Sequence, residues 1–166
     1  MAQPKRLSGI SYDQLAAYFV TSVTRNRTKA FDSKDFGLLV ARALIDIARE
    51  FQFEVPAYVV MPDHVHFLVT AIEEGADFPR MVKAWKQKTG FEWSRRHGKP
   101  LWQHGYWERV LRNSEDALSV CRYIVENPVR ARIVSHPTEY ELCGSTQYSI
   151  EEICDAAMIK GWWSGF

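Results

Sequence analysis

Cysteine is scarce in this 166-residue chain: Cys121, Cys143 and Cys154 are odd in number, and no two form a Cys-x-x-Cys pair. That argues against a disulfide framework or a structural zinc site. No run approaches the ~20 apolar residues a membrane span needs, and Met1 to Arg6 lack a secretory apolar segment. The expected setting is therefore a reducing cytoplasm, with no membrane partner. No internal repeat, low-complexity tract or linker divides the chain, so residues 1–166 read as one domain. Residues 1–11 resemble an arm, and residues 135–166 form a tail without a clear assignment. Apolar content of 46% and charged content of 25% fit a soluble globular protein with a complete core.

Net charge is nearly absent too, at +1, but its distribution is uneven. Twelve of the 21 Lys and Arg residues fall between Arg80 and Arg132, while none occurs from Ile133 to Ile159, where five acids stand. A cationic middle followed by an acidic tail suggests one face suited to a polyanion, although solvated helix surfaces give a similar count.

What is present centres on Val59 to Thr70. The segment from His64 onward reads as a short β-strand rich in apolar and β-branched residues. Alternation puts His64, His66 and Leu68 on one face and Val65, Phe67 and Val69 on the other. Two residues advance a strand by only ~7 Å, so both imidazoles can lean onto one ion. The expectation is an apolar face in the core and an opposite face that presents ligands. A His-x-His pair alone is more often incidental than metal-binding.

Around it, Tyr18 to Thr24 reads as a first strand and Arg25 to Lys29 as a basic loop. Phe36, Val40, Ala43, Ile47 and Phe51 recur at helical spacing after Ser33, a candidate N-cap. Phe53–Met61 and His64–Thr70 form a hairpin broken at Pro62-Asp63. Met81, Trp85 and Thr89 mark a second helix from about Pro79 to Arg96, which Gly90 would kink or shorten. Tyr106 to Leu111 gives another strand. Ser114, with Glu115 and Asp116 behind it, caps a third helix. The order β-α-β-β-α-β-α predicts an α+β class, a ferredoxin-like βαββαβ core with an antiparallel sheet backed by helices, plus a further C-terminal helix.

On that third helix Ala117, Leu118, Cys121, Ile124 and Val125 cluster, and Tyr123 and Asn127 fall on the opposite side, with Arg130 nearby if the helix continues. Tyr123 then has no packing role, unless it is a partly exposed surface ring. Asn127-Pro128 reads equally well as a cap, and Pro128 ends or kinks the helix.

Met61-Pro62-Asp63-His64-Val65-His66, followed by Tyr123-Ile124-Val125-Glu126-Asn127-Pro128-Val129-Arg130-Ala131, resembles the HUH single-tyrosine transposases. It is most similar to the branch called REP-associated tyrosine transposases. Tyr18 to Arg27 and Leu101-Trp102-Gln103 leading into Tyr106 to Arg112 share the likeness, which spans roughly residues 15 to 135. The resemblance implies a ferredoxin-like fold and cleavage of single-stranded DNA containing hairpins or palindromic repeats. It implies Tyr123 as the catalytic nucleophile, with His64, His66 and Asn127 as ligands of a divalent metal, Mg²⁺ or Mn²⁺. It also implies a 5′-phosphotyrosine intermediate. Relatives of this kind include dimers that exchange tyrosine helices, so a homodimer belongs among the expected partners. Asp63 departs from the asparagine common at its position, which bears on how His64 is oriented.

A free phenol is only ~0.1% ionised at pH 7, so such a nucleophile needs assistance. A cation held by two imidazoles and an amide would supply it by gripping a phosphate oxygen. For recognition, Arg25, Arg27, Lys83, Lys86, Arg95, Arg96, Arg112 and Arg130 are the expected DNA contacts. Trp102, Tyr106 and Trp107 are candidates for stacking on bases, though core burial suits each of them better. His97, His104 and His136 read as surface or structural. The competing functions are a hairpin-binding protein that does not cut, and a metal hydrolase of small phosphoesters, which has no use for Tyr123.

Overall fold

The computed structural model describes residues 16–111 and 114–155; Arg112, and the side chains of Ser114, Glu115 and Asp116, lie outside what it describes. The strands are β1 (Ala17–Val23), β2 (Phe53–Met61), β3 (His64–Ala71), β4 (Trp107–Leu111) and the short β5 (Cys143–Gly144). They form one antiparallel sheet in the order β4-β1-β3-β2-β5. Helices α1 (Lys34–Glu50) and α2 (Phe78–His97) follow β1 and β3, giving the βαββαβ core with its two crossovers. Helix α3 (Ser114–Val125) follows β4, and a helical turn α4 (Asn127–Arg130) ends on the left-handed Arg132.

Each element has a local cause. Phe36, Val40, Leu44 and Ile47 give α1 a buried stripe. The Asp77 carboxylate caps α2 by accepting from the Arg80 N–H at 3.0 Å, and Gly98 ends it in the left-handed region. Gly90 does not kink α2, which runs unbroken; its missing side chain leaves room beside Trp102, 3.6 Å from where a Cβ would stand. Pro56 sits where the β2–β3 register slips between Glu54 and Ala57, a bulge that tolerates a residue unable to donate.

Both faces of the sheet are covered by helices. Val65, Phe67 and Val69 pack with α1 and α2. On the other face Leu68, fully buried, joins Phe19, Ala57 and Val59 beneath Val120, Cys121 and Ile124 of α3. The buried stripe of α3 is rotated from its expected position: Val120 is fully buried and Leu118 is 40% exposed. Tyr123 and Asn127 therefore flank the buried face instead of opposing it. The tail is part of the domain: it supplies β5 and a helix α5 (Ile150–Asp155) that packs with α3 through Ile153.

Candidate active site

The sheet register builds the site. Thr21 pairs with His66 and Val23 with His64, so β1 lies alongside both histidines, and Trp107 of β4 stands across from Thr21. The two imidazoles share the α3 side of the sheet, with ring centroids 4.7 Å apart. Each spends Nδ1 on a protein partner: His66 on the Thr21 hydroxyl at 2.8 Å and His64 on Asp63 Oδ1 at 2.6 Å. That leaves Nε2 of each as the atom to bind an ion, with its ring held from behind. His66 is buried, and its pKa is pushed down to about 3 by that burial, then by His64, Arg130 and Arg27. It stays neutral across ordinary pH, which is the protonation state a ligand needs.

Asp63 is fixed in turn. Its main-chain carbonyl accepts from the Thr24 N–H and hydroxyl, both at 2.9 Å, and its carboxylate meets the Arg27 guanidinium at 3.6 Å. Asn26 and Arg27 take left-handed backbone angles, φ 57° and 54°, in the turn that brings Arg27 there. Such a conformation is costly for arginine and persists only where the surrounding structure holds it.

Helix α3 lowers Tyr123 onto the same face. Its half-buried ring lies with its centroid 6.0 Å from that of Phe19 and 6.1 Å from that of His66, on the same side of the sheet as the histidine pair. Arg130 lies over the ring, its Cζ 4.2 Å from the centroid, and donates to the Tyr123 carbonyl. Glu126 holds that guanidinium at 3.6 Å and takes a bond from Arg122 Nε at 2.8 Å. Arg130 is thus committed to the tyrosine as much as to any incoming phosphate. Asn127 opens α4 one turn beyond Tyr123, and its side-chain Nδ2 is buried without a hydrogen-bond partner. A buried, unsatisfied amide is costly unless something outside the protein engages it. No group of three His, Cys, Asp or Glu able to hold a metal occurs among the described residues. The orphaned atom is the donor nitrogen of the Asn127 amide; the atom by which that amide could hold a cation is its Oδ1, one turn beyond Tyr123.

The expected DNA contacts fall into groups. Arg25 and Arg27 are exposed in the turn beside the histidines, and Lys83 is exposed on α2. Arg95 and Arg96 both lean on Glu92, at 2.8 and 3.7 Å, which offsets part of their charge. Lys86 is half-buried and donates to the carbonyls of Gln103 and Gly105; burial lowers its pKa to about 8. Among the stacking candidates, Trp102 is core, with its indole N–H bonded to Thr89 Oγ1 at 2.9 Å. Tyr106 packs edge-on against Phe78, whereas Trp107 stands edge-on to Phe19 at the rim of the site. His97 stacks on Trp93, and His136 Nδ1 accepts from the Thr138 N–H. Thr21 and the Asp63–Arg27 pair escaped sequence reasoning. Asp63 stood beside the motif as a signal, but Thr21 needed the strand register.

Residues 12–127 match the family described as Transposase IS200 like. The chain belongs to that family. It is 31% identical over 120 residues to the REP-associated tyrosine transposase of Escherichia coli K12, covering 72% of this chain and 70% of that protein. A solved structure of a REP-associated tyrosine transposase bound to a REP hairpin matches with a TM-score of 0.69 at 27% identity. That match covers 86% of this chain and 82% of the other. The resemblance to REP-associated tyrosine transposases and the ferredoxin-like fold both hold for this chain. Among the described residues, no helix is long and apolar enough to cross a membrane.

Proposed function

We propose that this transposase nicks and rejoins single-stranded DNA beside hairpins of palindromic repeats, with Tyr123 as nucleophile and a divalent ion, Mg²⁺ or Mn²⁺, on His64, His66 and Asn127. The observation that carries the reading is the approach of the Tyr123 ring to within 6.1 Å of the His66 ring, with both imidazoles keeping Nε2 for an ion. The hairpin substrate is supported by the relative of known structure, which was solved with a REP hairpin.

The Tyr123 oxygen attacks the phosphorus and gives up its proton. The bond to the 3′ oxygen breaks, and that oxygen leaves as a free hydroxyl after taking up a proton. The 5′ side stays on the enzyme as a phosphotyrosine, which conserves the energy of the phosphodiester. Attack by a 3′-hydroxyl then reseals DNA without ATP. When bound, the ion neutralises charge growing on the phosphate and aligns the bond. His64, His66 and Asn127 contribute no charge, so they leave that field undiminished for the phosphate. Arg130 restricts the ring of Tyr123 and brings a cation beside it.

The test is cleavage of end-labelled hairpin DNA across a series of divalent ions. Strand scission in Mn²⁺ or Mg²⁺, abolished by chelation, is expected. Tight, salt-sensitive hairpin binding with no scission under any ion would show instead a binding protein that does not cut.

A further inference from the structure

Phe91 is 66% exposed, the most exposed large hydrophobic side chain among the described residues, on a helix that buries Trp85 and Trp93. It stands with Lys83, Gln87 and Ser94 along one side of a groove of about 700 Å³, faced by His104 and Tyr106. Trp102 and Lys86 also line it, and no carboxylate does. The neighbouring acid of α2, Glu92, faces the other side of the helix, where it lines a cleft with Asp35 and Asp46.

This groove is not isolated. Trp102 and His104 also line an adjoining cleft of about 610 Å³ with Arg25, Asn26, Arg27 and Gln103, again without an acid. Arg27 in turn reaches Asp63, the residue that holds His64. Cations and flat rings therefore extend from the Arg25–Arg27 turn, which meets Asp63 beside His64, to Phe91. An apolar protein segment would leave these cations unused, and an acidic peptide would gain nothing from an exposed ring. An unpaired nucleotide uses both, since its base stacks on an aromatic face while its phosphate meets the cations. The volume falls within the ~300–1,000 Å³ of small-molecule sites.

We infer that the groove beside Phe91 is a docking site for an unpaired base of the single strand flanking the hairpin. This rests on the DNA-nicking function proposed above. Phe91 acts by stacking, and Lys83 and His104 flank the phosphate.

The test compares two DNAs, a blunt hairpin and the same hairpin with unpaired flanks, against wild type, Phe91→Ala and Phe91→Trp. Stacking is worth ~1–3 kcal/mol per base, so Phe91→Ala should weaken binding of the flanked hairpin by between about fivefold and 150-fold. Binding of the blunt hairpin should not change, and Phe91→Trp should restore the flanked one. Phe91 is exposed, so its replacement does not threaten the core. Equal affinities for wild type and Phe91→Ala on the flanked hairpin would overturn the inference while leaving the nicking function standing. Equal weakening on both DNAs would overturn it as well, by moving the contact to the duplex. Loss of a dimer in sedimentation, with DNA binding unchanged, would reassign the groove to self-association. If wild type binds neither DNA, the function proposed above fails along with it.

Discussion

The residue whose replacement is most informative is Asp63, whose shortest side-chain contact is with His64. Its carboxylate takes a 2.6 Å hydrogen bond from His64 Nδ1 and is otherwise met by Arg27 at 3.6 Å, while its main chain is tied separately to Thr24. Asp63→Ala therefore removes the support behind the ring without moving the strand. A hydrogen bond to a charged group contributes ~1.5–3 kcal/mol, which converts to roughly 10- to 150-fold in a binding constant. The Asp63 side chain is 25% exposed, so solvent takes up part of the loss and the lower end applies. Replacement of such supporting partners costs ~10–100-fold in metal affinity or activity elsewhere. The expected result is a rise of about tenfold in the Mn²⁺ concentration giving half-maximal nicking. Asp63→Asn, which keeps an acceptor without the charge, should fall between Ala and wild type. The assay is single-turnover cleavage against Mn²⁺ concentration, with hairpin binding measured in parallel. An unchanged Mn²⁺ dependence in Asp63→Ala would refute the reasoning, and so would a loss of hairpin binding of equal size.

Three further outcomes follow. Ile124 is fully buried where α3 meets the sheet, so Ile124→Ala should cost about 2–5 kcal/mol in denaturant unfolding, and milder destabilisation would mean that α3 is not docked as described. His66 has its folded pKa lowered to about 3 from 6.5, so the unfolded chain binds the extra proton first. The metal-free protein should hold its full stability above pH 6.5 and lose about 2 kcal/mol by pH 5, a slope that His66→Gln should abolish and that thermal melts against pH will show. Arg25 is exposed in the turn beside the histidines, and Arg25→Gln should lower the salt slope of hairpin binding by about 0.7–0.9, with an unchanged slope counting against a phosphate contact there.

How far the chain could be read depended on whether a feature was local. The alternating strand at His64 and the stripe from Phe36 to Ile47 are periodic, and both appear within a residue or so of their expected bounds. The proline break after α3 was equally local, since α3 ends at Val125 and a separate turn begins at Asn127. What stayed hidden was set by distant partners. Core burial was the better reading for Trp102, but its partner, Thr89 on α2, needed the fold. Lys86 looks like a phosphate contact until the carbonyls of Gln103 and Gly105 claim its ammonium. The two-residue strand at Cys143 is too short to carry any period, so the tail gave no signal of joining the sheet. Val120 is buried against the sheet residues that α3 covers, and the same docking leaves the Tyr123 ring 6.1 Å from that of His66.

The decisive measurement is the search for a protein–DNA adduct on a denaturing gel after incubation of labelled hairpin DNA with Mn²⁺, followed by mass mapping of the linked peptide. The account predicts a covalent 5′-phosphodiester on Tyr123 that disappears in Tyr123→Phe while hairpin binding persists. An adduct of undiminished yield in Tyr123→Phe, or one that maps to another residue, would contradict it.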